Sequence, residues 1–137
     1  MTLEQRYHYL RKVRRSLRGL TVTINAIFTL GANINAKDAY LNTPLTEASL
    51  RGHLKTVQFL LGFRPLEIDI DAQNNEDRTA LHKAAYNGHS EIIKALLAAG
   101  ADPRKKDINS NKAIHYAQDK QSKFYLKVWD PKRTERI

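Results

Sequence analysis

The chain has 137 residues, a formal net charge of +9 and no cysteine. That length fits a single domain, and the lack of cysteine excludes a disulfide framework and a Cys-based zinc site. No stretch reaches the roughly eighteen consecutive apolar residues that suggest a membrane span, and the start, MTLEQRYHYLRKVRRSLRG, lacks the apolar core of a secretory signal.

The first predicted element is a helix near the N-terminus. Leu3, Tyr7, Leu10, Val13, Leu17 and Leu20 follow at steps of 4, 3, 3, 4 and 3, which describes one apolar helix face. Arg6, Arg11, Lys12, Arg14, Arg15 and Arg18 fill the other faces, so residues 1–20 carry six Lys or Arg against one Glu. Two compatible readings stand: the opening cap of a stack with its charged face outward, or a basic helix for an acidic protein surface, a membrane surface or a calmodulin-like groove.

The middle of the chain repeats itself. Residues 43–61 read TPLTEASLRGHLKTVQFLL and residues 79–97 read TALHKAAYNGHSEIIKALL. Thr43 and Thr79 lie 36 residues apart, as do the pairs Gly52-His53 and Gly88-His89. A period of this length predicts stacked supersecondary units, which offer an extended surface rather than a deep catalytic pocket. Leu45 and Ala48, then Val57, Leu60 and Leu61, recur at helical spacing, as do Leu81, Ala84 and Ala85, then Ile92, Ile93, Leu96 and Leu97. Gly52 and Gly88 split each pair of stripes, which predicts a helix, a glycine-assisted stop and a second helix. Thr43 and Thr79 stand where a side chain caps the first helix, and Pro44 suits its first position.

Toward the C-terminus, helix signals run from Ala113 to Gln118 and from Ser122 to Trp129. Phe124, Tyr125, Val128 and Trp129 can close the last apolar face. Asp130-Pro131 should stop the helix, leaving a solvated tail from Lys132 to Ile137. Residues 120–137 carry six Lys or Arg against two acids, while the 99 residues between the basic ends hold eleven of each sign. A neutral middle thus has two basic ends.

Thr79-Ala80-Leu81-His82-Lys83-Ala84-Ala85, then Gly88-His89, Leu96-Leu97 and Gly100-Ala101-Asp102, resemble the T-P-L-H-x-A-A, G-H and L-L-x-x-G-A-D pattern of the ankyrin repeat. The resemblance covers about residues 20–128 and implies an all-α solenoid of about four helix-turn-helix repeats with hairpin loops and degenerate capping repeats. Its expected units are 4–37, 38–73, 74–106 and 107–129, followed by a basic tail at 130–137. The second unit is longer by three residues, near Phe63 to Glu67. Arg18-Gly19 is the closest element to a calmodulin-binding IQ motif, whose Ile-Gln start is missing here. Trp129-Asp130 with Thr134 faintly resembles the stretch after the repeats in some IQ-motif ankyrin proteins of ciliated cells.

Little in the chain suggests chemistry. The resemblance implies that His53, His82, His89 and His115 hydrogen-bond between loops and helices, and no carboxylate recurs in register with them to form a metal site. Asp69 and Asp71 would share a face of an extended arm, yet a solvated arm accounts for them better than an acid-base pair. Arg104-Lys105-Lys106 reads as a solvated hairpin base rather than an anion site. No enzyme, cofactor or metal is expected.

The resemblance places partner contacts at hairpin tips and on the first helix of each repeat. The tips are Ala39, Tyr40 and Asn42, then Asn75, Glu76 and Arg78, then Ile108, Asn109 and Asn111. The helical positions are Leu50 and Arg51, Tyr86 and Asn87, and in the fourth repeat Asp119 and Lys120. Tyr40, Leu50 and Tyr86 are apolar or aromatic at positions expected to face out, and such residues anchor partners. Leu41 stands where the family has a turn glycine, which casts doubt on the first hairpin. The expectation is a non-enzymatic protein-binding module or small scaffold, cytoplasmic, with a partner of acidic surface and a place in a larger assembly. The alternative is a structural component whose basic ends, including Arg11, Arg14, Arg15, Arg18, Lys132 and Arg133, hold an acidic filament such as a microtubule, a nucleic acid or an anionic membrane.

Overall fold

In a computed structural model, residues 33–63 and 68–129 are described. The predicted N-terminal helix, residues 64–67 near the expected insertion and the tail 130–137 lie outside them. Five α-helices and one 3-10 turn occur among the described residues, with no strands: α1 (Pro44–Arg51), α2 (Leu54–Phe63), α3 (Ala80–Tyr86), α4 (Ser90–Ala98), the 3-10 turn (Ala113–His115) and α5 (Lys120–Val128).

Local chemistry sets the helix ends. Thr43 Oγ1 accepts from the Thr46 amide at 3.2 Å, and Pro44 occupies the first turn without leaving an amide unpaired. Thr79 and His82 form the equivalent reciprocal cap in the next repeat. Gly52 and Gly88 leave the first helices with φ of 74° and 71°, the left-handed region where a side chain is strained.

The helices pack in two layers. α1, α3 and the 3-10 turn form one layer, each against the next, and α2, α4 and α5 form the other. Leu45, Val57, Leu60, Leu81, Ile93, Leu96 and Leu97 are almost wholly buried in one continuous core. Ala84 and Ala85 let α1 and α3 approach closely. Neither helix of a pair could bury its stripe alone, so each repeat is covered by its neighbour.

The last repeat departs from expectation. Instead of a helix from Ala113 to Gln118 there is a single 3-10 turn, and α5 begins at Lys120, two residues earlier than expected. Asp119 is the reason: its Oδ2 accepts from the Ser122 amide at 2.9 Å and caps α5. Asp119 is therefore a helix cap. Trp129 is half-buried against the core, with the Arg104 guanidinium 5.3 Å over its ring.

Leu41 also departs from expectation. It adopts the left-handed conformation, φ 64°, as Asp77 and Ser110 do at the other two tips. The first hairpin keeps the geometry of the others because its leading side chain closes it. Asp38 Oδ1 accepts from the amides of Tyr40 and Asn42, both at 2.9 Å. Asn74 and Asp107 do the same in their own hairpins. These bonds impose a conformation that costs a side chain about 1 kcal/mol or more. Leu41→Gly should raise stability by about 1 kcal/mol, read as a higher urea midpoint; a lower midpoint would mean the leucine side chain is holding the turn.

Candidate functional site

The three hairpin tips are joined edge to edge. The Asn75 amide donates to Tyr40 O at 3.0 Å, and the Ile108 amide donates to Glu76 O at 2.9 Å. Asn74 Nδ2 donates to Asn42 Oδ1 at 3.1 Å. The tips thus form one ledge, with Tyr40 and Ile108 exposed along it. Ala39, Asn75 and Asn109 are also exposed.

Behind this ledge lies a cleft of about 220 Å³ lined by Leu50, Arg78, His82, Lys83, Tyr86, Asn87 and Tyr116. Four of these, Leu50, Arg78, Tyr86 and Asn87, are residues the sequence pattern singles out, and the fold brings them together from α1, α3 and the loop before α3. Tyr86 is 65% exposed and stands edge-on to Tyr116, ring centres 6.0 Å apart.

Tyr116 is held from behind. Its hydroxyl donates to Asp107 Oδ2, which also accepts from Arg78 Nε at 3.3 Å. The Arg78 guanidinium lies 5.2 Å over the Tyr116 ring and meets Glu76 through Nη1 at 3.4 Å. Asp107 Oδ1 accepts from the Asn109 and Asn111 amides. Burial pushes the Asp107 carboxyl up, but hydrogen bonds from Tyr116, Asn111, Asn109 and Arg78 outweigh it and hold the group at about 2.

His82 closes the floor of the cleft. Its Nδ1 accepts from the Thr79 amide at 3.1 Å, which leaves the proton on Nε2 to donate to Asn111 O at 2.8 Å. Burial pushes this imidazole below its ordinary value, although the bond to Asn111 opposes the shift. The ring is therefore neutral at pH 7. His89 Nε2 donates to Leu50 O at 3.1 Å in the same inter-repeat manner. His115 instead accepts the Lys112 amide within its own turn.

Several expected contact residues also hydrogen-bond within the fold. Asn87 Nδ2 donates to Leu50 O and Lys83 O, and Asn111 Nδ2 donates to the Tyr116 hydroxyl. Arg51 is exposed and paired with Glu47 at 3.2 Å, and Glu76 is paired with Arg78. The six basic residues expected to meet a polyanion, Arg11, Arg14, Arg15, Arg18, Lys132 and Arg133, lie outside the described residues.

Lys83, His82 and Tyr116 were missed as cleft residues. The signal was present, because Lys83 and Tyr116 occupy one register position, directly after His82 and His115, and Glu47 occupies it in the preceding repeat. Asp69 and Asp71 are not a chemical pair: Ala72 N closes a turn on Asp69 O, and Asp71 Oδ1 accepts the Asp102 amide at 2.9 Å. Arg104 of the basic triplet is engaged by Asp102 at 3.0 Å. Among the described residues no cluster of three His, Cys, Asp or Glu can hold a metal, and no helix is long and apolar enough to cross a membrane.

A family model of ankyrin repeats in three copies matches residues 17–107 and 63–127. The chain belongs to the ankyrin repeat family. Similar proteins include alpha-latrocrustotoxin-Lt1a of Latrodectus tredecimguttatus, 35% identical over 104 residues, which cover 76% of this chain and 7% of the toxin. Zygote-specific protein 3 of Chlamydomonas reinhardtii is 32% identical over 114 residues, covering 82% of this chain and 30% of that protein. Human ankyrin repeat and SAM domain-containing protein 1A is 32% identical over 106 residues, covering 53% of this chain and 9% of its own length. The chain spans less than a third of each of these relatives. Ankyrin repeats generally mediate protein–protein interaction and are typically non-enzymatic modules.

Proposed function

We propose that this ankyrin array is a protein-binding module or small scaffold whose partner lies on the joined hairpin tips and in the cleft between α1, α3 and Tyr116. The observation that carries this reading is the convergence of Leu50 and Tyr86 on one cleft beside a braced ledge bearing Tyr40 and Ile108. Rigid aromatic and apolar residues around a recess are what an interface anchor needs. The working unit is the run of four repeats, 4–37, 38–73, 74–106 and 107–129, acting inside the cell within a larger assembly. Leu50→Ala with Tyr86→Ala should reduce partner retention in a pull-down at least about tenfold while the thermal midpoint stays near that of the wild type. Unchanged retention by a folded double variant would remove the cleft from the interface.

A second reading has its own support. Lys120, Lys123 and Lys127 are all exposed on α5 and add to the basic C-terminal end. Anchoring of the basic ends to an acidic filament, nucleic acid or anionic membrane would then be the main contact. Its affinity should fall steeply with added salt.

A further inference from the structure

We propose that the cleft reads one carboxylate side chain of an acidic peptide segment, received by the Lys83 ammonium and flanked by an apolar neighbour against Leu50 and Tyr86. This rests on the reading of the cleft as the partner site and names the chemistry it selects.

Lys83 is the cleft cation that the fold leaves without an acidic partner among the described residues. Lys83 lines the cleft on α3, one turn before Tyr86 and Asn87. Among the described residues no carboxylate lies within 4.0 Å of its ammonium. The nearby acids are otherwise engaged. Glu47, its register equivalent in the preceding repeat, pairs with Arg51; Glu76 and Asp107 both pair with Arg78. The cleft's second cation, Arg78, already meets two carboxylates, Asp107 and Glu76, and is further fixed by the Tyr116 hydroxyl. His82 adds no charge at pH 7 because Nδ1 is an acceptor for Thr79. Lys83 remains the cleft cation with no carboxylate partner among the described residues, in a recess walled by two tyrosines.

That balance favours a carboxylate over a phosphate. A phosphate carries close to two charges and is best held by guanidinium forks, and the guanidinium here is already engaged. A carboxylate matches a single ammonium. Tyr86 presents 65% of its surface and can cover the apolar residue beside the acid.

The test is selection of linear peptides from a random display library on the intact 137-residue chain, with wild type, Lys83→Glu, Lys83→Arg, Lys55→Glu and Tyr86→Ala as baits. Wild type should enrich peptides with Asp or Glu beside an apolar residue. A representative peptide should lose at least about tenfold in affinity on Lys83→Glu and when its own acid becomes an amide. Lys83→Arg should retain binding, and Lys55→Glu on α2 should have no effect. Lys83→Glu should instead enrich Lys- or Arg-bearing peptides. Peptides that need Tyr86 but carry no acid, or ignore Lys83→Glu, would overturn the carboxylate assignment and leave the cleft as the partner site. Replacing the acid with phosphoserine and gaining more than tenfold would reassign the subsite to phosphate. Failure to select any Tyr86-dependent peptide would overturn both readings.

Discussion

Asp107→Ala should destabilise the protein by about 4 kcal/mol, because a buried ion pair that loses one partner strands the rest. The Asp107 side chain has no solvent exposure, and four donors converge on it: Arg78 Nε, the Tyr116 hydroxyl and the amides of Asn109 and Asn111. Alanine leaves the guanidinium with Glu76 as its remaining carboxylate and two turn amides unpaired. It also releases Tyr116, so the cleft loses a wall together with stability. Urea unfolding measures the effect.

The same residue sets a pH signature. The Asp107 carboxyl is held at about 2 in the folded chain, below the ordinary 3.8. As pH falls, the unfolded state takes up this proton first. The stability Asp107 contributes is therefore fully present above about pH 4 and lost as pH falls through about 2. The difference in unfolding free energy between wild type and Asp107→Asn should be constant at neutral pH and narrow across that acid window. A difference independent of pH down to 2 would show that the charge of Asp107 contributes nothing.

Gly52→Ala should cost about 3 kcal/mol, from two causes acting together. The φ of 74° penalises any Cβ by about 1–2 kcal/mol. The Cβ would also stand 2.6 Å from His89 Cε1 and 2.9 Å from its Nδ1. That imidazole cannot withdraw without breaking its bond to Leu50 O. Gly88→Ala isolates the first cause: its φ is 71°, but its nearest neighbour would be Asp119 Oδ1 at 3.6 Å, an ordinary contact. Gly88→Ala should cost only about 1–2 kcal/mol. Equal losses at the two glycines would show that the His89 ring is free to move.

Helix caps, glycine stops and buried stripes could be read from the sequence because they are local and periodic. Thr43, Gly52, Leu81 and Leu96 act where a period of about 3.6 residues places them. The cleft was half legible. Leu50 and Tyr86 stand at recognisable register positions, but the network behind Tyr116 joins Arg78 to residues 29 and 38 positions away, and no local pattern carries such pairings. The first hairpin was misjudged from Leu41 alone, when the controlling group is the Asp38 carboxylate at the head of the turn. Asn42, Asn87 and Asn111, whose amides all hydrogen-bond within the fold, show a similar difficulty, since an amide side chain at a variable position serves the fold or a partner equally well by composition.

On this reading the tips and the cleft, rather than the basic ends, carry partner affinity. Affinity capture from native extract at low and high salt, with mass spectrometry of the retained proteins, separates the two. The expected partners persist at high salt and are lost with Leu50→Ala and Tyr86→Ala. Partners released by salt and indifferent to those substitutions, especially filament proteins or nucleic acid, would contradict that reading.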